Sequence, residues 1–524
     1  MSESPAAAAG AAAVPDGLNP RRWLILGVIG LAQLMIVLDV TIVNIALPSA
    51  QRALGFSTVD RQWVVTAYAL AFGSLLLFGG RLADLIGRKV IFMTGLVGFA
   101  AVSAVGGAST SFGMLVTARA CQGVFAALMA PAALSLLTTT FTDPKERGRA
   151  FGVFGAIVGS GAAVGLVLGG LLTEYLSWRW CLYVNLFFAA IAVTGAAVLL
   201  RRSPRRPGAK LDVLGVVLES AAMFCLVYGF ANAATHSWHA ASTYGFLVAG
   251  VVLLVLFATW QGRAPNPLLP PRVVLNRNRG GSYLAILIMG AGTFGIFLFL
   301  TYYLRQTLGF SPVVNGLAFL PMIAMIAVSA NVATIVLLPR VGPKPLVTVG
   351  MLAAAGALVW LTGIGPHSTY AGSVLGPLLL TGVGFGLTIA PSINTGTFGV
   401  APQDAGVASA TVNVGQQIGG SIGTSLLNTI AISATTSYLA SHVLFRPGGG
   451  RATGPNRQLL ELALVHGYTT AFWWSAAIFA VGAVICGSLL RRGPLVPAAP
   501  SAEAGVIAQP AAAVVAEVPP TAAL

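Results

Sequence analysis

Long apolar runs recur along almost the whole chain, and they constrain its fold more than any other feature. A helix rises 1.5 Å per residue, so crossing a bilayer takes about 20 apolar residues. Only 8% of the 524 residues are charged, against about 25% in soluble domains. The sequence therefore predicts an all-α polytopic membrane protein with fourteen transmembrane helices, near 24–47, 61–80, 90–108, 113–137, 150–173, 181–200, 211–231, 242–260, 281–304, 313–337, 345–364, 371–395, 405–433 and 469–490.

Basic residues in the breaks between these runs set the expected orientation. Most of the 29 Lys and Arg residues fall in breaks that would share one side of the membrane with the N-terminus. Loops enriched in Lys and Arg stay in the cytoplasm, so both termini are expected to be cytoplasmic in a multi-pass protein of the cell (cytoplasmic) membrane. The net charge of +15 is interpreted as a topology signal, and no nucleic-acid partner is expected.

Two breaks in the apolar pattern, at 201–212 and 263–280, separate the predicted spans into groups of six, two and six. The segment 201–212 is basic and broken by proline, as expected of a linker, and both ends of the chain are rich in Ala. The predicted order is a disordered cytoplasmic tail (1–22), an N-terminal six-helix bundle (23–200), a basic cytoplasmic linker (201–212), two additional transmembrane helices (211–262), a cytoplasmic linker (263–280), a C-terminal six-helix bundle (281–492) with an outside loop (434–468), and a disordered cytoplasmic tail (493–524).

The turn after the second span carries the most specific motif. It reads Gly-Arg-Leu-Ala-Asp-Leu-Ile-Gly-Arg-Lys over residues 80–89. Glycines permit a tight turn and a close helix approach, and Asp84 can cap a helix end or pair with a cation. The turn resembles the signature loop of the major facilitator superfamily, Gly-x-x-x-Asp-x-x-Gly-Arg-Lys/Arg. The expected charge loop, made in one conformation and broken in another, comprises Gly80, Asp84, Gly87, Arg88 and Lys89.

Other stretches resemble one branch of that superfamily, the fourteen-helix drug:proton antiporters of multidrug and antiseptic-antibiotic efflux. They are LDVTIVNIALPSA (38–50), WVVTAYAL (63–70) and SWRWCLYVN (177–185). The fourth span adds Arg119-Ala-Cys-Gln-Gly, similar to the Arg-x-x-Gln-Gly element that the family associates with proton coupling. The resemblance implies the major facilitator fold, two six-helix bundles plus two additional central helices, and export by alternating access with a proton gradient as the energy source.

The fifth span contains a glycine-rich stretch close to the antiporter motif Gly-Pro-x-x-Gly-Gly. Leu166 replaces the family's proline, so the bend usually ascribed to that proline is not carried over. Glycines at every fourth position form a flat stripe that lets another helix approach closely, and such stripes also serve ordinary packing. The residues predicted to pack in this way are Gly161, Gly165, Gly169 and Gly170.

Two ionisable residues lie deep in the predicted spans, where a charge costs several kcal/mol. Asp39 is about 12 Å from the outer end of the first span, and Arg119 lies at a similar depth in the fourth. We hypothesise that both face one central cavity, where the arginine stabilises the carboxylate until a proton or a substrate intervenes. The alternative is a purely structural ion pair between two helices.

Further polar residues in the spans are candidates for the proton and substrate path. Glu219 lies in the seventh span, one of the two that the fourteen-helix branch adds, and both a solvated position near the interface and a cavity-facing position are open. The remaining candidates could equally form interhelical hydrogen bonds. They are Asn44, Tyr68, Gln122 and Gln416.

No motif for ATP hydrolysis or covalent catalysis is present, and the four cysteines are isolated from one another. We therefore predict a secondary transporter and not an enzyme, with no catalytic residue, metal or cofactor. Its expected partners are a small, lipophilic or cationic molecule, protons and the lipid bilayer, and a monomer is expected. Two alternative functions are compatible with the same fold: a proton-coupled uptake symporter and a non-transporting sensor.

Overall fold

The computed structural model describes residues 20–56, 60–201, 211–233, 240–401, 404–444 and 457–495. The predicted terminal tails, apart from their innermost residues, and most of the predicted linker 201–212 lie outside these ranges. All regular structure within them is helical, with no strand. The prediction of an all-α membrane protein is confirmed.

The N-terminal half consists of six helices. They are α1 (Arg22–Leu54), α2 (Arg61–Ile86), α3 (Arg88–Gly107), α4 (Phe112–Thr140), α5 (Pro144–Tyr175) and α6 (Trp180–Leu199). Local sequence sets several of their ends: Ser111 and Asp143 each accept a backbone N–H in the first turn of the following helix. Within the half, α4 packs on α2 and α3, and α1 packs on α5 and α6.

The two additional helices form a hairpin beside the bundle. α7 (Val213–Ala233) and α8 (Ala241–Gln261) pack along each other, with Leu226 against Gly250 and Leu247 against Gly229. α7 also contacts α2, whereas α8 is the least buried of the candidate membrane spans. The pair is therefore central in the sequence but lies at the side of the molecule.

The C-terminal half begins within the predicted linker 263–280, which contains α9 (Pro271–Val274) and the start of α10 (Arg277–Tyr302). α10 ends in a π-helical segment, Tyr303–Thr307. The next span combines α11 (Pro312–Ala318), α12 (Leu320–Asn331), a π-helical segment (Val332–Leu337) and α13 (Leu338–Val341). The remaining helices are α14 (Pro343–Leu361), α15 (Leu375–Thr397) preceded by a π-helical segment (Tyr370–Val374), α16 (Ala405–Leu444) and α17 (Arg457–Leu489).

The predicted outside loop 434–468 is largely helical in the structure. α16 continues to Leu444 and α17 begins at Arg457, and the residues between them lie outside the described ranges. The two helix ends pack on each other through a ring contact of 4.9 Å between the centroids of Tyr438 and His466. These helix ends contain both polar and apolar residues. The continuous apolar runs are therefore shorter than the helices, and the runs alone predict helix ends that are too early.

Twelve helices in the described ranges are long and apolar enough to cross a membrane. α5 and α16, at 32 and 40 residues, are also long helices but are not among these twelve, so the count of fourteen spans stays a prediction. The two halves meet where α16 packs on α2 and α4, and where α5 packs on α11, α12 and α15. The candidate functional residues lie within the N-terminal half and along this boundary.

Candidate functional site

An ion pair joins α1 and α4 inside the N-terminal half. Arg119 Nη1 donates to Asp39 Oδ2 at 2.5 Å. The exposed fraction is 0% for Asp39 and 1% for Arg119, so both charges are shielded from bulk water. A pair buried in this way is tolerated only when its remaining polar atoms are also hydrogen-bonded.

Gln122 and Asn185 supply those hydrogen bonds, and Ser103 in turn accepts from Gln122. Gln122 Oε1 accepts from Arg119 at 2.7 Å, and Gln122 Nε2 donates to Asp39 Oδ1 at 3.3 Å and to Ser103 Oγ at 2.7 Å. Asn185 Nδ2 donates to Asp39 Oδ1 at 2.8 Å. We call these five residues, contributed by α1, α3, α4 and α6, the polar network. It ties the charge state of one carboxylate to the positions of four helices.

α2 covers the arginine from the remaining side. The Arg119 Cζ atom lies 4.5 Å from the centroid of the Tyr68 ring, a cation–π contact, and Arg119 Nε donates to the Val64 carbonyl at 3.2 Å. The structure thus brings together four of the predicted residues, Asp39, Tyr68, Arg119 and Gln122. In this conformation they are enclosed between helices and do not face an open cavity.

Two members of the polar network, Asn185 and Ser103, were missed by the sequence analysis. Asn185 ends the stretch 177–185 and is a polar residue entering an apolar run, so that position carried a usable signal. Ser103 lies alone in an apolar helix and forms no recognisable motif. Its role follows only from the packing of α3 against α4.

Asp84 connects the two halves of the protein at the end of α2. Its carboxylate accepts the backbone N–H of Gly406 at 3.0 and 3.1 Å and that of Val407 at 3.3 Å, in the first turn of α16. Arg88 lies within 3.5 Å of the same carboxylate. Free N–H groups and the helix dipole favour a negative charge at a helix N-terminus, so Asp84 caps a helix of the opposite half.

The other residues of the predicted charge loop shape this junction. A Cβ at Gly80 would lie 2.6 Å from the Gly406 carbonyl oxygen, so α2 and α16 approach closely there. Gly87 has a φ of +116°, which glycine adopts readily, and it makes the turn between α2 and α3. Lys89 Nζ donates to the carbonyls of Ala197 and Leu200, at 2.8 and 2.5 Å, near the C-terminus of α6.

Two further polar links lie at the same end of the bundle, which we call the basic end. Arg147 of α5 donates to Asn394 Oδ1 at 3.0 Å and to Thr397 Oγ1 at 3.1 Å, both on α15. Arg272 of α9 pairs with Asp404 at 3.0 Å, just before α16. Arg147 and Asn394 are 247 positions apart in the sequence, and Arg272 and Asp404 are 132 apart. Because the partners are so distant, no local sequence motif predicted these links.

The predicted glycine stripe faces α1. A Cβ at Gly161 would lie 2.6 Å from Val37 Cγ1, and one at Gly165 would overlap Thr41 Oγ1. A Cβ at Gly169 would lie 3.1 Å from Ile42 Cα. Gly170 is buried beside them, and the side chain of Leu166 lies outside the description. The absence of side chains on this face is therefore what lets α5 contact α1.

The remaining predicted residues are not part of the polar network. Asn44 is exposed in the second half of α1, and Gln416 is half-buried on α16. Glu219 is fully buried in α7. Within the described residues, no group of three or more His, Cys, Asp or Glu side chains could hold a metal ion.

Comparisons with known proteins agree with this architecture. Residues 29–424 match the model of the Major Facilitator Superfamily. A puromycin resistance protein of Streptomyces alboniger is 47% identical over 91% of this chain and 92% of its own length. A cephamycin export protein of Amycolatopsis lactamdurans is 38% identical over 78% of this chain and 86% of its own.

Solved structures with little sequence similarity share the fold. The human organic anion transporter MFSD10 superposes with a TM-score of 0.59 at 15% identity, covering 89% of this chain and 100% of its own. The proton:xylose symporter XylE has the same TM-score at 13% identity, covering 91% and 97%. This chain belongs to the Major Facilitator Superfamily and is a multi-pass transporter of the cell membrane, not an enzyme.

Proposed function

We propose that the protein exports antibiotic-like small molecules from the cytoplasm in exchange for protons. The observation that carries the proposal is the buried Asp39–Arg119 pair with its hydrogen-bond network. An ionisable residue kept within a membrane span at high energetic cost suggests a function in ion or substrate movement. The relatives named for puromycin resistance and cephamycin export support the direction and the class of substrate.

Protonation of Asp39 is the proposed coupling step. A proton on the carboxylate removes its charge, and Arg119 then keeps a buried positive charge without a counterion. The hydrogen bonds through Gln122 and Asn185 must rearrange as a result, and these residues lie on α4 and α6. The gain or loss of one proton therefore favours different arrangements of the helices in the N-terminal half.

The links at the basic end are the proposed gate. Asp84 of α2 and Arg147 of α5 hold α16 and α15 of the opposite half, so the described conformation is closed at this end. By the positive-inside rule the basic end faces the cytoplasm. Opening toward the cytoplasm would break these contacts, and alternating access would consist of making and breaking them in turn.

Puromycin uptake by everted membrane vesicles tests the proposal. Vesicles containing the native protein should accumulate labelled puromycin when their lumen is acidified, and the accumulation should collapse when a protonophore dissipates the gradient. Asp39→Asn should reduce accumulation to that of vesicles without the protein, because the side chain can no longer exchange a proton.

Glu174→Gln is the matched control. Glu174 is an exposed acid at the end of α5, so this variant should accumulate puromycin like the native protein. Equal accumulation by native protein and a folded Asp39→Asn variant would contradict the coupling role. Accumulation by native vesicles that is insensitive to the protonophore would contradict proton exchange altogether.

A further inference from the structure

Glu219 is a buried acid without a cationic partner. It is the seventh residue of α7 and its exposed fraction is 0%. Oε1 has no hydrogen-bond partner, and Oε2 lies 3.5 Å from the hydroxyl of Ser220. Within the described residues it forms no ion pair, in contrast to Asp39 and its arginine.

The face of α7 that carries Glu219 meets the boundary between the two halves. Helical spacing puts Glu219, Met223 and Val227 along one face. Val227 Cγ2 and Gln417 Cγ both lie 3.3 Å from the position that a Cβ on Gly73 would take, so α7, α2 and α16 converge there.

The same three helices converge on the other side of Glu219. Val216 lies about one turn before Glu219. It packs against a cluster that includes Leu77 of α2 together with Val407 and Ala410 of α16. Glu219 therefore lies along a seam where these helices meet.

Charged and titratable groups on the surrounding helices do not compensate a charge on Glu219. α2 carries Arg61 at its first position, then Tyr68, Arg81 and Asp84, and the last of these is bound to the first turn of α16. α8 carries Tyr244, and α16 carries Tyr438 and His442 near its far end. α7 itself adds Cys225 and Tyr228. A carboxylate sealed here without a cation would cost several kcal/mol, whereas the neutral acid costs far less.

We propose that Glu219 is a second proton-carrying site, and that its proton is released when α2 and α16 separate. Resting on the proposed antiport, the step takes one proton from water on the outer side, holds it on a carboxyl oxygen, and transfers it to cytoplasmic water when the seam opens. The carboxylate left behind is then hydrated. The two additional helices thus contribute a titratable group to the transport cycle.

The closed gate is what keeps this site sealed. Asp84 holds the start of α16, and Gly80 lets α2 press against Gly406. Any change that loosens this contact should admit water to the seam and allow the Glu219 proton to exchange. The proposal therefore links two places, the cap at Asp84 and the acid on α7.

Infrared spectroscopy of the purified full-length protein in lipid nanodiscs tests the protonation directly and needs no substrate. The native protein should show a protonated-carboxyl band at neutral pH that exchanges slowly in heavy water. Glu219→Gln should remove that band, whereas Asp39→Asn should retain it. Asp84→Ala should make its exchange several-fold faster, because the seam opens more often. A band unchanged by Glu219→Gln would overturn the proposal.

Transport stoichiometry gives the second measurement. Protons moved per puromycin in proteoliposomes should fall in Glu219→Gln, while exchange of puromycin against puromycin without a gradient persists. An unchanged ratio at full transport would also overturn the proposal. Failure of the antiport itself would appear differently, as native protein that moves puromycin without protons, and it would leave the infrared result intact.

Glu219→Met separates the proposed role from a structural one. This substitution removes an unpaired buried polar group at similar volume, so the variant should fold and be no less stable than the native protein to thermal denaturation. A large loss of stability in both Met and Gln variants would indicate that the acid is structural and would contradict the proposal.

Discussion

The two halves of this transporter bury different kinds of polar groups. The N-terminal half encloses an ion pair and its hydrogen-bond network, whereas the C-terminal half encloses hydroxyl and amide groups. Many of those hydroxyls bond within their own helix, as Thr388 does to the Gly384 carbonyl at 2.8 Å. Among the described residues of the C-terminal half, the buried charged side chain is that of Asp404, and it lies at the basic end. The buried Asp39–Arg119 pair, on which the proposed proton coupling rests, therefore lies in the N-terminal half.

Removing the buried cation should have the largest effect on stability. Arg119→Ala leaves Asp39 as an unpaired charge, which costs about 3–5 kcal/mol. In the C-terminal half, Ser329→Ala removes a hydroxyl that donates to the Met325 carbonyl at 2.5 Å, which should cost about 1 kcal/mol. Unfolding of purified protein by denaturing detergent measures both values.

A double variant sharpens that measurement. Asp39→Asn combined with Arg119→Gln removes both charges, so it should recover part of the stability lost by Arg119→Ala. Equal losses for Arg119→Ala and Ser329→Ala would contradict the contrast between the two halves. A double variant that is less stable than either single charge variant would also contradict this contrast.

Two helix caps offer a comparison within and between halves. Asp143 accepts the N–H of Glu146 at 2.9 Å and caps α5 of its own half, whereas Asp84 caps α16 of the other half. Each replacement by alanine should cost about 0.5–2 kcal/mol of stability. Asp84→Ala should in addition reduce puromycin transport several-fold and make cysteines placed at the basic end react faster with a water-soluble thiol reagent. Equal transport by the Asp84 and Asp143 variants would argue against a gate at Asp84.

Two glycines, one in each half, differ in what surrounds them. Gly165→Val would force side-chain atoms into Thr41 of α1, and overpacking of this kind costs about 1–3 kcal/mol. Gly356 on α14 has open space at the same position, so Gly356→Val should leave stability and transport close to native. Thermal denaturation and puromycin uptake check both variants. A harmless Gly165→Val would show that α1 and α5 do not require this close approach.

The smallest expected effect concerns the start of the additional hairpin. Burial raises the pKa of Asp212, but hydrogen bonds from Trp260, Gln261 and the backbone of Gly215 outweigh it and hold the pKa below its usual value. A depressed pKa contributes stability above the unfolded-state pKa, and this contribution is lost as the pH falls through the folded-state pKa. Asp212→Asn should therefore be slightly less stable at neutral pH. The difference should disappear in acid, and a difference that grows in acid would contradict this assignment.

Much of the fold follows from the sequence because one physical requirement dominates it. Each predicted apolar run corresponds to a helix or a helical span, since backbone groups inside a bilayer must be bonded within the segment. The prediction failed in the segment 434–468, where helices continue past the apolar run. An apolar run predicts the part of a helix that contacts lipid, but it does not predict how far the helix continues beyond that part.

The candidate site was only partly predictable. Asp39 and Arg119 are conspicuous because charges in spans are rare, and their similar depth suggested the pair. Asn185 and Ser103 were missed, as were the partners of Arg147 and Arg272, because they depend on which helices become neighbours. Whether the pair faced a cavity or was enclosed could not be predicted either, because that depends on how the helices pack in a given conformation.

The most direct test of the account is whether puromycin moves protons when no pH gradient is imposed. Proteoliposomes with a trapped pH dye receive external puromycin, with protein-free liposomes as the baseline for passive entry. Native protein should make the lumen more alkaline than the baseline, because protons leave as puromycin enters, and Asp39→Asn should not. Puromycin entry through the native protein with no proton movement, or with acidification of the lumen, would contradict proton-coupled export.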